Sequence, residues 1–171
     1  TNCKVYSIHC KIDDLPKETK EIINILIDTS WSSKLVPADY ISYSARAKIT
    51  IDKIVNDIIS KVDSKVTPEF GEYLISLSAG KALENNEHKR LPIAELWKEK
   101  KSGNPAFDFH TECPNERLFF GEAKFNSTSN PYKDAIDQIQ DFIKEAKDDK
   151  ELSDLKNFVS SSTIENYINK K

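Results

Sequence analysis

Apolar and polar positions along the chain fall into blocks of different period, and each period predicts an element. Residues 4–12 (KVYSIHCKI) alternate, with Val5 opposite Tyr6, and predict a strand. Asp13-Asp14-Leu15-Pro16 then reads as a helix start, with Asp as cap and Pro in the first turn. Ile22, Ile23, Leu26 and Ile27 give that helix an apolar face. Ile51, Ile54, Val55, Ile58, Ile59 and Val62 recur at helical spacing as one stripe, which predicts a core-packing helix. Thr67-Pro68 predicts the start of a third helix, with Thr as N-cap and Pro at the first helical position. It carries Phe70, Leu74 and Leu77 on one face and ends near Gly80 or Asn85-Asn86.

After Arg90 the period shortens. Leu91 to Lys98 is apolar and partly extended by pattern, residues 101–105 (KSGNP) form a turn, and Ala106 to His110 alternate briefly. Cys113-Pro114-Asn115-Glu116 reads as a second turn, and residues 117–125 (RLFFGEAKF) make the strongest strand in the chain. Asn130-Pro131 stops it. A helix is expected from about Tyr132 to Lys147, with Ala135, Ile139, Phe142 and Ile143 facing inward, and the residues beyond it carry no single period. Helices, a meander of strands and a further helix predict one mixed α/β domain over 1–171, with a helical portion at about 1–66 and a core at about 67–171.

Composition narrows this picture. A length of 171 residues with 38% apolar content suits one domain with a modest core. No apolar run approaches the roughly 18–20 residues needed to span a bilayer, and the first residues lack a signal-peptide stretch. The absence of Met points to a processed product or a fragment. A net charge of −3 gives no whole-protein attraction to nucleic acid, which leaves local patches to decide binding. Cys3, Cys10 and Cys113, an odd set at irregular spacing, argue against a disulfide framework and suit a reducing, cytoplasmic setting.

Candidate chemistry centres on Asp108 and on Glu122-Ala123-Lys124. The Glu-x-Lys spacing recurs at Glu18/Lys20, Glu87/Lys89, Glu99/Lys101 and Glu145/Lys147, but those pairs sit in polar or helical segments where charge is solvated. Only Glu122/Lys124 interrupts an apolar strand, between Leu118, Phe119, Phe120 and Phe125. Strand alternation sends Glu122 and Lys124 to one face, with Phe119, Ala123 and Phe125 on the other, and sends Asp108 opposite Phe107 and Phe109. If the two strands pair, two carboxylates and an ammonium converge beside apolar surface, which costs free energy unless they pair or bind a cation. Two carboxylates, with the Ala123 carbonyl, offer the hard oxygen donors that Mg²⁺ takes. Lys124 can then orient water or neutralise charge developing on a phosphate.

These residues carry a resemblance. "FDFH" at 107–110 and "GEAKF" at 121–125, with Glu122 fourteen residues after Asp108, resemble the core of the PD-(D/E)xK nuclease superfamily. The resemblance implies a restriction-endonuclease-like fold with a central mixed sheet flanked by helices, and Mg²⁺-dependent (or Mn²⁺-dependent) cleavage of phosphodiester bonds, usually in DNA. It implies Asp108 and Glu122 as metal ligands and Lys124 as the catalytic lysine. It further implies an acidic residue from the preceding helix, Glu72 or its rival Glu69, and a polar residue from the following helix, Gln138 or Gln140. Phe107 stands where the superfamily often has proline. The succession "GEYL", Lys98 before "SGNPAFDFH", then "LFFGEAKF" is also similar to the nuclease subunit of the Hachiman anti-phage system, over roughly 68–145. That likeness implies a role in bacterial defence beside a helicase subunit.

Other readings of the same residues stand beside these. Glu122 and Lys124 can be an exposed cross-strand pair, Asp108 can cap the turn at 110–115, and Glu72 can be an ordinary exposed helix residue. His110 can touch substrate or be a partly buried structural histidine. Lys89, Arg90, Lys98, Lys100 and Lys101 form a basic stretch, of which Lys98 and Lys101 are candidates for holding substrate phosphates; a solvated charge run is the default. Zinc is disfavoured, because Cys3, His9, Cys10, His110 and Cys113 supply no pair of ligand knuckles at zinc-finger spacing. A catalytically silent nucleic-acid- or protein-binding module with the same fold is the alternative function.

Overall fold

The computed structural model describes residues 8–58, 67–98, 107–126 and 130–169. Their secondary structure is mostly helical, with a small sheet, so the mixed α/β class holds. Helix α1 (Leu15–Ile27) starts where its sequence signal lies: Asp14 accepts a hydrogen bond from Lys17 N at 2.9 Å, and Pro16 fills the first turn. A short 3₁₀ turn (Ser30–Lys34) leads to α2 (Pro37–Lys53), which runs into a π-helical turn (Ile54–Ile58). The helix expected around the stripe at 51–62 therefore begins much earlier. Pro37 at its first position and Asp39 in its first turn are the signals that mark the true start. Ile51 and Ile54 are buried as expected. Ile59 and Val62 lie outside the described residues.

Helix α3 (Pro68–Glu84) begins at the expected cap, where Thr67 Oγ1 accepts from Phe70 N at 3.2 Å. The strands β1 (Lys89–Arg90), β2 (Phe109–Cys113) and β3 (Arg117–Gly121) form one sheet in that order, with the one-turn helix α4 (Ala94–Trp97) between β1 and β2. Within Leu91 to Lys98 the backbone is extended at Ile93 and Lys98, on either side of the α4 turn. Both described pairings are antiparallel, so the parallel pairing that a mixed sheet requires is not among the described residues. The expected strand at 4–12 is not formed over residues 8–12, which are exposed and unpaired in any ladder; residues 1–7 lie outside the description. The turn expected at 101–105 lies outside it as well.

Register fixes what each face of the sheet meets. His110 pairs with Phe120 and Glu112 with Leu118, so these share a face with one another; Thr111 pairs with Phe119 on the other. On the first face Phe120 meets Tyr167 of α7 (Ser161–Ile168), and α7 lies against β3. On the second, Arg90 reaches Gly80 of α3. In β3 the expected faces are reversed: Leu118 and Phe120, which share the alternation of Glu122, pack on the core, while Phe119 is 46% exposed, edge-on to His88. The ladder also stops at Gly121, so residues 122–125 continue the run without strand pairing.

The helix expected over 132–147 is divided. Helix α5 (Pro131–Lys144) is capped by Asn130, the chain turns at Ala146 with φ 51°, and α6 (Lys147–Leu155) follows. Phe142 is buried as expected, but Ile143 is 63% exposed, because it falls one residue round the helix from the Ala135–Ile139–Phe142 face. One cluster of buried side chains joins the helices: Ile22 and Leu26 of α1, Tyr43 and Ala47 of α2, Phe70 and Leu77 of α3, Trp97 of α4 and Leu155 of α6. No helix among the described residues is long and apolar enough to cross a membrane.

Candidate active site

The open end of the β2–β3 hairpin, away from its turn, gathers the charged residues. Asp108 precedes β2 and is braced on three sides. Its amide donates to Gly121 O at 2.9 Å, its carbonyl accepts from Ala94 N at 3.3 Å, and its Oδ2 accepts from Ala123 N at 2.7 Å. Because the last bond ties the Asp108 carboxylate to the backbone between Glu122 and Lys124, the two sequence motifs meet in space. The rival role for Asp108, capping the turn at 110–115, is not the one it takes.

Helix α3 supplies the third side. An added Cβ at Gly71 would lie 2.2 Å from the Phe125 ring, so only glycine lets the helix approach the 122–125 segment this closely. Glu72 is the next residue, and its charge acts on both Glu122 and Lys124. The side chain of Glu69 lies outside the description.

Glu122 is the unusual member. Its side chain is only 1% exposed, and Oε1 accepts from Lys124 Nζ at 2.6 Å. Its other oxygen, Oε2, is buried with no hydrogen-bond partner among the described residues. Burial pushes the Glu122 carboxyl up to about 7, the nearby charges of Asp108 and Glu72 add to the rise, and Lys124 only partly opposes it. Burial also raises Asp108, against the Ala123 amide and the charges of Lys124 and Lys98. Burial lowers Lys124, but the Glu122 hydrogen bond and the charges of Glu122, Asp108 and Glu72 outweigh it, so the ammonium is held charged. The cluster is therefore not an exposed cross-strand pair. It is a buried, acid-rich group with one lone pair unclaimed, a state that costs free energy and favours either a proton or a cation.

The donor set is small. No group of three or more His, Cys, Asp or Glu side chains among the described residues is placed to hold a metal ion. Two carboxylates are nonetheless the number by which Mg²⁺ is commonly held, since it dehydrates reluctantly and keeps several waters. Glu122 Oε2, unpartnered among the described residues, is a buried atom at the site that a cation would complete. Of the cysteines, Cys10 is exposed and Cys113 is buried, and Cys3 lies outside the described residues.

Beside this group lies a second buried network. Glu151 of α6 accepts from Phe107 N at 3.0 Å, from Lys98 Nζ at 2.7 Å and from His110 Nε2 at 2.7 Å. Lys98 also donates to Phe107 O at 3.3 Å and sits 5.0 Å from the Trp97 ring centre. Lys98 and His110, two of the residues read as substrate contacts, are thus committed inward. His110 has no exposed surface, packed between Trp97, Phe107 and Phe120, and burial lowers its pKa so that it is neutral at neutral pH. Lys89 is likewise taken, by Glu112 Oε2 at 3.1 Å and Phe158 O at 3.0 Å, and Arg90 lies 3.6 Å from Glu84. Lys100 and Lys101 lie outside the described residues. Gln138 sits half-buried on α5, one turn before Phe142, whose ring meets Phe107 at 4.9 Å; Gln140 is exposed.

Glu151 is the residue that sequence reasoning missed. It stands in a polar helix (KDDKELSDL), and its buried face is Lys147, Glu151 and Leu155, a helical repeat hidden because two of its three members are charged. Compared with known proteins, the chain matches no family model, no curated protein and no solved structure.

Proposed function

We propose that the chain is a Mg²⁺-dependent nuclease that hydrolyses phosphodiester bonds in DNA. One observation carries the reading: Glu122, buried beside Asp108, has a carboxylate oxygen with no partner among the described residues and a pKa raised to about 7. Asp108 and Glu122 would hold the metal, with the Ala123 carbonyl as a backbone donor and Glu72 contributing charge from α3. Bound there, Mg²⁺ would supply Lewis acidity at the scissile phosphate. The Ala123 amide fixes the Asp108 carboxylate in place, and Glu122, ionised on metal binding, contributes the second oxygen donor. Lys124, held charged by its acidic neighbours, orients the attacking water and offsets negative charge developing on the phosphate. The resemblance to the superfamily adds the restriction-endonuclease-like core and DNA as substrate, and the narrower likeness adds a defence role beside a helicase subunit.

The test is cleavage of supercoiled and linear DNA with Mg²⁺ and with chelator. The wild-type chain cuts only with metal, and Lys124→Ala cuts about 10²–10³-fold more slowly. Equal behaviour of wild type and Lys124→Ala sinks the enzymatic reading and leaves the catalytically silent binding module in its place.

A further inference from the structure

We infer that Glu151 is a positioning residue for the carboxylate site: it anchors the backbone at Phe107 so that Asp108 stays against the Ala123 amide. The inference rests on the nuclease reading for the chemistry that this positioning serves, and on geometry alone for the positioning itself.

Three donors converge on one carboxylate, and all three bracket Asp108. Phe107 is the residue immediately before it, His110 stands two residues after it, and Lys98 closes the ring by also donating to Phe107 O. The Phe107 amide lies ahead of the β2 ladder, whose described pairing with β3 starts at Phe109. Glu151 therefore supplies its acceptor from another element. With the carboxylate ionised, Nε2 of His110 must carry the donated proton, which leaves Nδ1 as the free lone pair; that atom is buried without a partner among the described residues. A leucine at position 151 would fill the same interior at less cost, since a buried ion pair seldom outperforms well-packed apolar groups in stability. What the carboxylate adds is a fixed place for the chain entering β2. From there the constraint passes through Asp108 to Ala123 N and so to the backbone between Glu122 and Lys124.

Amide hydrogen exchange, followed residue by residue by NMR on the metal-free chain, reads this directly. Two variants are compared with wild type. Glu151→Ala removes the anchor, but it leaves the Lys98 ammonium buried and risks unfolding. Lys98→Met/Glu151→Leu removes both charges together and so keeps the interior filled. In a folded variant the amides of Phe107 and Ala123 exchange about tenfold faster or more, while the amides of the β2–β3 ladder keep their protection. A folded variant in which Phe107 is freed but Ala123 keeps its wild-type protection overturns the inference. Mn²⁺ affinity, titrated on the same proteins, falls about 10–100-fold with the anchor removed; a wild-type affinity in the folded double variant overturns it equally. Failure of the wild-type chain to cut DNA sinks the nuclease reading instead, and leaves the exchange comparison standing.

Discussion

The β2–β3 hairpin ends in a buried carboxylate at each side, and the two are built in opposite ways. Near the turn, Glu112 accepts from Lys89 Nζ at 3.1 Å, from Ser160 Oγ at 3.0 Å and from Thr163 Oγ1, and it lies at the N-terminus of α7. Burial raises its pKa, but the hydrogen bonds from Thr163, Lys89 and Ser160 outweigh this and hold it below the usual range. At the open end, among the described residues, Glu122 has one donor, Lys124, one orphan oxygen and two acidic neighbours, and its pKa rises to about 7. Both are glutamates on the same hairpin with little exposed surface. One is a satisfied staple that fastens α7 to the sheet, and the other is a carboxylate the fold leaves unfinished. The difference teaches that burial alone does not mark a site; burial with unmet hydrogen-bonding capacity does.

Substitutions at the two ends should separate these roles. Glu122→Ala, like Lys124→Ala, costs about 10²–10³-fold in metal-dependent DNA cleavage, measured as initial rates on the folded proteins. Glu112→Ala leaves the three donors without their acceptor and destabilises the fold by ~3 kcal/mol in chemical denaturation, with the rate per folded molecule retained. A large rate loss at Glu112 would erase the distinction.

The pH dependence of stability should separate them again. Glu122 has its folded pKa raised from 4.5 to about 7, so the folded chain binds its proton more tightly than the unfolded chain does. The stability this contributes is present below pH 4.5 and is lost as pH rises through about 7. The Glu122→Gln variant should therefore gain on wild type by on the order of 2 kcal/mol between pH 4.5 and pH 8 in chelator. Denaturation curves of both proteins at the two pH values measure this, and an unchanging difference would contradict it. Glu112 has its pKa lowered, so Glu112→Gln should show the opposite trend, losing on wild type as pH rises. The smallest effect is expected at Gly71, where Gly71→Ala drives a Cβ into the Phe125 ring. Its overpacking cost, partly offset by helix propensity, is ~1 kcal/mol, read in the same curves.

Local signals were legible in the sequence where one residue type does one job. Asp14 and Thr67 cap helices where expected, the strand run ends before Asn130-Pro131 and a helix follows, and Pro114-Asn115-Glu116 turns the hairpin with Glu116 at φ 53°. The meeting of Asp108 with Glu122, Ala123 and Lys124 was legible too, because charges inside an apolar strand demand partners. The inward faces were not. Phe119 and Phe120 are identical in type, and only the register with Thr111 and His110 decides which is covered. Alternation gives the period of a strand but not how many of its faces are packed. Glu151 was hidden for a related reason: nothing local distinguishes a helix glutamate facing water from one that reaches Phe107, Lys98 and His110 across more than forty residues of chain.

The most direct measurement is calorimetric titration of the chelator-treated chain with Mg²⁺ at pH 8, beside Asp108→Asn. The account predicts binding by wild type and its loss in the variant, which stays folded and is as stable as wild type or more so, having shed a carboxylate from an acid-rich cluster. No binding by wild type, or equal binding by both proteins, would contradict the claim that the open end of the hairpin is a metal site.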